Sequence, residues 1–305
     1  MSTKVKKAVI PAAGLGTRFF PATKTVPKEM LPIVDKPTIL YVIEEALAAG
    51  IEDIILIQGR GKTAIEDFFD ISVELENKLI TDGKSYLLKD LNHIRNNINI
   101  ISVRQKTAMG LGHAIHCAKS VIGSDPFAVL LGDEITVSKE VHLNPTRVLC
   151  EEYKNHLSSS VWVLPVDPSQ TQKYGIVDFV EKTSAELTVE KLSKGKIIKG
   201  VIEKPDSVNA PSFWALPGRY VFNSSIFNYI EQTKPGFNGE IQLSDAMNLM
   251  AQKEKLYAYS VEAERFDAGD KLGYIIANIE MGLKSKELQS ELKNYLLNRI
   301  QTLQK

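Results

Sequence analysis

The chain has 305 residues, and its 37 lysines and arginines balance 37 aspartates and glutamates, so the formal net charge is zero. That balance lacks the basic surplus that nucleic-acid or anionic-membrane binding draws on, so neither partner is expected. Cys117 and Cys150 are the only cysteines; they are too few and too far apart for a disulfide framework or a thiolate metal site, which points to a reducing cytoplasm.

Lys4, Lys6 and Lys7 lead into an apolar stretch that breaks at Pro11 and Gly14. It is too short for a secretory signal or a bilayer span. Strands are predicted at Ala8–Ile10, Ile54–Ile57, Ile98–Val103 and Phe127–Leu131, and helices at Ile39–Ala49, Lys62–Phe69 and Leu111–Val121. This alternation means βαβ units and a parallel sheet covered on both faces, with ligands at the carboxyl ends of the strands. Residues 70–97 interrupt it with a polar helical insertion. From Ser159 the character shifts to strands at Val161–Leu164, Tyr174–Val180, Lys196–Glu203 and Arg219–Phe222, some of them antiparallel. Helices resume at Gln242–Lys253, Lys271–Leu283 and Glu287–Leu303, the last carrying Leu288, Leu292, Leu296, Ile300 and Leu303 on one stripe.

Two places on this frame carry obvious chemistry. Off the first strand runs Pro11-Ala12-Ala13-Gly14-Leu15-Gly16-Thr17-Arg18, a loop of small residues whose backbone N–H groups can approach a phosphate closely. Arg18 adds a cationic fork and Lys28, in Pro27-Lys28-Glu29-Met30-Leu31-Pro32, a second cation. At the tip of the Phe127–Leu131 strand stands Asp133, a hard carboxylate suited to Mg2+, which takes one or two carboxylates and completes its shell with water and phosphate. A turn or helix-cap aspartate explains that spacing equally well. Gly59-Arg60-Gly61-Lys62-Thr63 mimics the end of a P-loop, but Leu56 stands where the first glycine is required. A P-loop kinase is thus the minor alternative. His113, His116 and Cys117 are read as helix packing.

The succession Gly14-Leu15-Gly16-Thr17-Arg18, Pro21-Ala22-Thr23-Lys24, Pro27-Lys28-Glu29-Met30-Leu31-Pro32 resembles the nucleotide-binding signature of sugar-1-phosphate nucleotidyltransferases, most closely the bacterial UTP–glucose-1-phosphate uridylyltransferases. The resemblance runs from Lys7 to about Leu283. It implies a Rossmann-like, mostly parallel mixed sheet flanked by helices, with a smaller antiparallel sugar-binding portion and C-terminal helices. A single domain over 1–283 would divide into a nucleotide half to about 158 and a sugar half from 159, with 284–305 as a terminal helix able to pair subunits.

The resemblance also carries roles. Ala12, Ala13, Gly14, Gly16, Thr17 and Glu29 fall in the nucleotide-binding motifs, and Gln105 and Gly110 are expected to meet the uracil base. Gly175, Glu203, Asn223 and Glu240 match sugar-binding positions, and Lys204, beside Glu203, matches the lysine on the sugar phosphate. Asp267 resembles a second carboxylate near the metal, although an N-cap role for Asp267 or Asp270 competes. The implied reaction joins UTP and glucose 1-phosphate into UDP-glucose and pyrophosphate with Mg2+. Arg18 and the loop would hold the β,γ-phosphates, Lys28 the α-phosphate and Lys204 the attacking phosphate. A homodimer or homotetramer is implied. The alternatives are another nucleotide or hexose 1-phosphate on the same fold, and a catalytically silent subunit that binds nucleotide sugars.

Overall fold

A computed structural model describes residues 3–180, 187–236 and 239–304. Its centre is one mixed sheet of eleven strands, in the order 99–104, 53–58, 7–12, 127–130, 219–222, 159–162, 256–259, 196–203, 175–179, 214–215, 164–165. The first four are parallel, paired in register from Lys7 opposite both Asp53 and Phe127 and from Asp53 opposite Asn99. Arg219–Phe222 then enters antiparallel, Arg219 opposite Leu130 and Phe222 opposite Phe127. Beyond it Ser159–Trp162 and Leu256–Tyr259 run parallel to each other, and the remaining neighbours pair antiparallel. The antiparallel portion expected from the sequence is therefore a continuation of the same sheet.

Unbroken apolar runs form the central strands because both faces are covered. Alternate side chains point to opposite faces. Val9, Ile55, Ile57, Phe127, Val129 and Phe222 pack on one side with the helices Leu111–His116, Ile226–Gln232 and Leu243–Ala251. Ala8, Ile10, Ile54, Leu56, Ala128, Leu130 and Val221 pack on the other with Thr38–Ala48 and Pro145–His156.

Several elements differ from the sequence expectation. The stretch Leu111–Val121 is two short helices, Leu111–His116 and Lys119–Ile122. The helices Pro145–His156 and Ile226–Gln232 and the strand Leu256–Tyr259 were not anticipated. Nor was a two-stranded sheet in which Glu134–Val137 pairs antiparallel with Glu264–Asp267. That small sheet packs through Ile135 and Ala268 against Ala277 of the helix Lys271–Lys284, which brings the far C-terminal region over the end of the parallel strands. Among the described residues no helix is long and apolar enough to cross a membrane.

Candidate active site

At the carboxyl ends of the parallel strands lies a cleft of ≈ 290 Å³ lined by Arg18, Asp133, Gly175, Glu203, Lys204, Glu240 and Asp267, together with Lys173, Tyr174, Tyr220 and Gln242. These residues come from seven separate stretches of chain. Such strand ends are where open α/β sheets take ligands.

The strand Lys7–Ala12 delivers the chain into the small-residue loop, with Ala12 and Ala13 buried and Gly14 and Thr17 exposed. Gly16 takes the left-handed conformation at φ 67°, and a Cβ there would lie 3.1 Å from Thr23 and 3.4 Å from Lys28. Thr23 Oγ1 donates to the Gly16 carbonyl at 2.7 Å. The loop thus folds around the Lys28 stem, and only glycine fits that bend. Arg18 is exposed and donates one guanidinium N–H to the Gly269 carbonyl at 3.2 Å.

Lys28 donates to Asp133 Oδ2 at 2.5 Å. Burial works against ionised Asp133, but Lys28, a backbone N–H and Arg18 together hold its carboxyl below the usual carboxylate range. Burial also works against charged Lys28, yet Asp133 and Glu29 hold its ammonium above the usual lysine range. Directly behind, Glu29 is fully buried, with Oε2 accepting from Lys62 Nζ at 2.8 Å. Its Oε1 has no hydrogen-bond partner among the described residues. Burial raises the Glu29 carboxyl and lowers the Lys62 ammonium. Glu29 was expected to touch nucleotide; with no exposed surface it instead anchors the segment beneath the loop. Lys62, from the P-loop mimic, is its counter-ion, and no periodicity or motif pointed to that pairing.

Asp133 and Asp267 converge on Gly269. A Cβ built there would lie 2.6 Å from Asp133 Oδ2 and 2.9 Å from Asp267 Oδ1, so a side chain would occupy the space between the carboxylates. Asp267 ends the strand Glu264–Asp267 and accepts from Gly269 N–H at 2.8 Å. The N-cap of the following helix is Asp270, whose Oδ1 accepts from Gly273 N–H at 2.9 Å. Among the described residues no cluster of three or more His, Cys, Asp or Glu could hold a metal by itself. Two converging hard carboxylates beside an open cleft fit a divalent cation that keeps water and phosphate ligands.

Glu134 also faces this site, and both its oxygens accept from Arg265 at 2.5 Å. Arg265 reaches Tyr174 Oη at 2.6 Å and stands 3.5 Å from Asp267 Oδ2. Burial pushes the Glu134 carboxyl up to about 8 against the opposing pull of Arg265. The Arg265 network was missed. A signal existed: in a strand, positions two apart share a face, so Arg265 must accompany Asp267.

Among the residues expected to meet the sugar, Gly175 opens the strand Gly175–Phe179, and a Cβ on it would sit 3.2 Å from Val201 and 3.5 Å from Glu203 Oε2. Lys204 holds φ 47°, left-handed backbone that costs a non-glycine residue about 1 kcal/mol or more. Its N–H donates to the Tyr174 carbonyl at 3.0 Å, locking that bend.

Neither member of the expected base-reading pair lines this cleft, although Gly110 adjoins Leu111, which does. Gln105 is almost buried, and its Nε2 lies 2.8 Å from His113 Nδ1 and 3.4 Å from the Gly110 carbonyl. Gly110 was expected to open backbone to the base. A Cβ on it would lie 2.8 Å from Glu240 Cβ and 2.9 Å from the Ile241 carbonyl, so its bareness also serves contact with the Glu240–Ile241 segment. Asn223 does not join the cleft. It follows Phe222 at the far end of the Arg219–Phe222 strand, accepts from Tyr153 Oη at 2.6 Å and donates to the Leu157 carbonyl at 3.2 Å. The strand's length, about 13 Å, separates it from the Gly218 end that borders the cleft.

Residues 7–281 match the nucleotidyl transferase family, and the chain belongs to it. A curated relative, the UTP–glucose-1-phosphate uridylyltransferase of Bacillus subtilis (strain 168), is 48% identical over 293 residues, spanning 96% of each chain. Among solved structures, a UTP-bound UGPase from Acinetobacter baumannii is 39% identical, with a TM-score of 0.86 over 96% of this chain and 99% of that one. A UDP-glucose pyrophosphorylase complexed with UDP-glucose is 39% identical, with a TM-score of 0.82 over 92% of this chain and 100% of that one.

Proposed function

We propose that the protein transfers UMP from UTP to α-D-glucose 1-phosphate, releasing pyrophosphate and UDP-glucose, with Mg2+ as its divalent cation. The observation that carries this is the convergence of the cations Arg18 and Lys204 with the carboxylates Asp133 and Asp267 in one cleft, on a chain nearly half identical to a uridylyltransferase along almost its full length.

A sugar 1-phosphate is already anionic at neutral pH, so its oxygen attacks the α-phosphorus without a general base. The bond from the α-phosphorus to the bridging oxygen breaks, the electron pair leaves with pyrophosphate, and no proton need move. The obstacle is repulsion between two polyanions, and catalysis reduces to alignment and cationic stabilisation. Arg18 and the loop amides from Ala12, Ala13, Gly14, Gly16 and Thr17 hold the β,γ-phosphates. Lys28 serves the α-phosphate, and Lys204 the incoming phosphate. Glu203 and Glu240 accept from sugar hydroxyls, and Gly175 leaves room for the ring. The Gln105 amide meets the uracil edge through whatever capacity His113 leaves it. When bound on Asp133 and Asp267, the cation would neutralise phosphate charge and orient the reactants.

The domain division expected from the sequence stays part of this reading, and we place the reaction in the cytoplasm, in keeping with two free cysteines. The helix Gln289–Leu303 has no buried residue and exposes Tyr295, Leu297, Ile300 and Leu303, while Leu292 packs on Gly282. That surface supports a homo-oligomer. The test is pyrophosphate release with UTP or dTTP against glucose 1-phosphate or galactose 1-phosphate. Strongest release with UTP and glucose 1-phosphate is expected. UDP-glucose binding without release from any pair would make the protein a silent binding subunit.

A further inference from the structure

Asp133 sits third in a tight turn, Leu131-Gly132-Asp133-Glu134, closed by Glu134 N–H donating to the Leu131 carbonyl at 3.3 Å. Turns at strand ends are the mobile parts of a sheet, yet this one must hold a carboxylate to a fraction of an ångström. What fixes it is a buried charge outside the cleft. Arg219, with no exposed surface, opens the neighbouring antiparallel strand directly opposite Leu130. Its Nη1 donates to the Leu131 carbonyl at 3.3 Å and its Nη2 to the Glu134 carbonyl at 2.5 Å, so one guanidinium spans both ends of the turn. The Asp133 carbonyl between them accepts from Ala268 N–H at 2.8 Å, which ties the turn to the residue after Asp267.

The guanidinium is held in turn. Nε donates to both Glu45 oxygens at 3.0 Å, Nη2 donates to Oε2 at 2.7 Å, and the last Nη1 donor reaches the Gly218 carbonyl at 3.3 Å. Glu45 is locked on the helix Thr38–Ala48 by Thr146 Oγ1 at 2.6 Å and Thr136 Oγ1 at 2.5 Å. All five N–H donors are engaged, and none remains for a substrate.

We propose that Arg219 is the positioning residue of the metal-binding turn: neutralised by Glu45, it sets the Asp133 carboxylate by gripping the carbonyls of Leu131 and Glu134. This rests on the reading of Asp133 as a metal ligand. A lysine would keep the positive charge but has no planar fork, so it cannot meet Glu45 and both carbonyls together. Outer groups that orient metal ligands are worth 10–100-fold in metal affinity or activity.

The test is Mn2+ binding to the full-length protein, followed by water-proton relaxation, beside thermal unfolding. Arg219→Lys should weaken Mn2+ binding about 10-fold or more. Thr146→Val, which cuts a Glu45 bond away from the turn, should lower the unfolding midpoint and leave Mn2+ affinity within about twofold. If Arg219→Lys does not fold, Glu45→Gln replaces it, because it loosens the same guanidinium and should also weaken Mn2+ binding. Loss of stability with unchanged Mn2+ affinity in whichever of the two folds would overturn the inference while leaving the metal reading standing, provided Asp133→Asn weakens binding. Unchanged binding in Asp133→Asn would overturn the metal reading and this inference with it.

Discussion

The two sides of the cleft that we assign to phosphate and to sugar are built on different principles. On the first side, Arg18 apart, the charges are paired and sheltered: the side chains of Glu29 and Lys62 are 0% and 9% exposed, and those of Lys28 and Asp133 are 22% and 24%. On the sugar side Glu203 and Lys204 are 32% and 55% exposed and only 3.5 Å apart at their nearest. A polyphosphate needs cations in fixed places before it arrives, because reorganising them during reaction would cost rate. A neutral sugar ring needs room and hydroxyl acceptors, which exposed strand ends and a bare glycine supply. Perturbation should therefore cost stability or turnover on the first side and affinity on the second.

The largest effect should follow Lys62→Met, which leaves the Glu29 carboxylate fully buried without its counter-ion; such a loss runs to about 3–5 kcal/mol of folding free energy. Denaturant unfolding should show it, and the added Glu29→Gln change should recover part. A stable Lys62→Met protein would mean the sheltered side is not held by this pair. Next comes turnover: Arg18→Ala and Lys28→Ala should each lower kcat by about 100-fold or more with unchanged circular dichroism. Lys204→Ala should act more mildly, raising KM for glucose 1-phosphate by about tenfold, the scale of one partly exposed charge-assisted bond, with little change in stability. A kcat collapse there instead would erase the contrast between the two sides.

The smallest signal is in pH. Asp133 titrates below its ordinary value of 3.8 in the folded protein, so its stabilisation is present above that pH and is lost as pH falls through the folded value. Lys28 titrates above its ordinary 10.5, so its stabilisation is complete below that pH and is lost as pH rises through the folded value. The stability difference between wild type and the Lys28→Met/Asp133→Asn double variant should thus stay level from about pH 5 to about pH 9 and shrink in stronger acid. A slope within that window would show that the pair is not fully charged there.

Much of the phosphate side was legible because its parts are local. A small-residue loop leaving an apolar strand, an arginine four residues after its first glycine, and an aspartate at a buried strand's tip each show in a few consecutive residues. The buried partners were not legible. Lys62 looked like a fragment of a P-loop and Glu29 like one more polar residue in a nucleotide motif, while the half-buried His113 looked like helix packing. Asn223 shows the opposite failure: a motif position placed it in the sugar site, and the antiparallel direction of its strand carries it to the other end of the sheet.

By itself the sequence determined the class of fold and where the small-residue loop and the strand-end Asp133 fall, since apolar period, glycine spacing and strand-end carboxylates are written in neighbouring residues. Only the tertiary structure decided that Asp267 and Arg265 stand beside Asp133, that Glu29 is bound to Lys62, and that Arg219 spans the turn. These pairings join residues 33 to 134 positions apart. Strand order and direction set them, through hydrogen bonds and buried charges that no local pattern encodes.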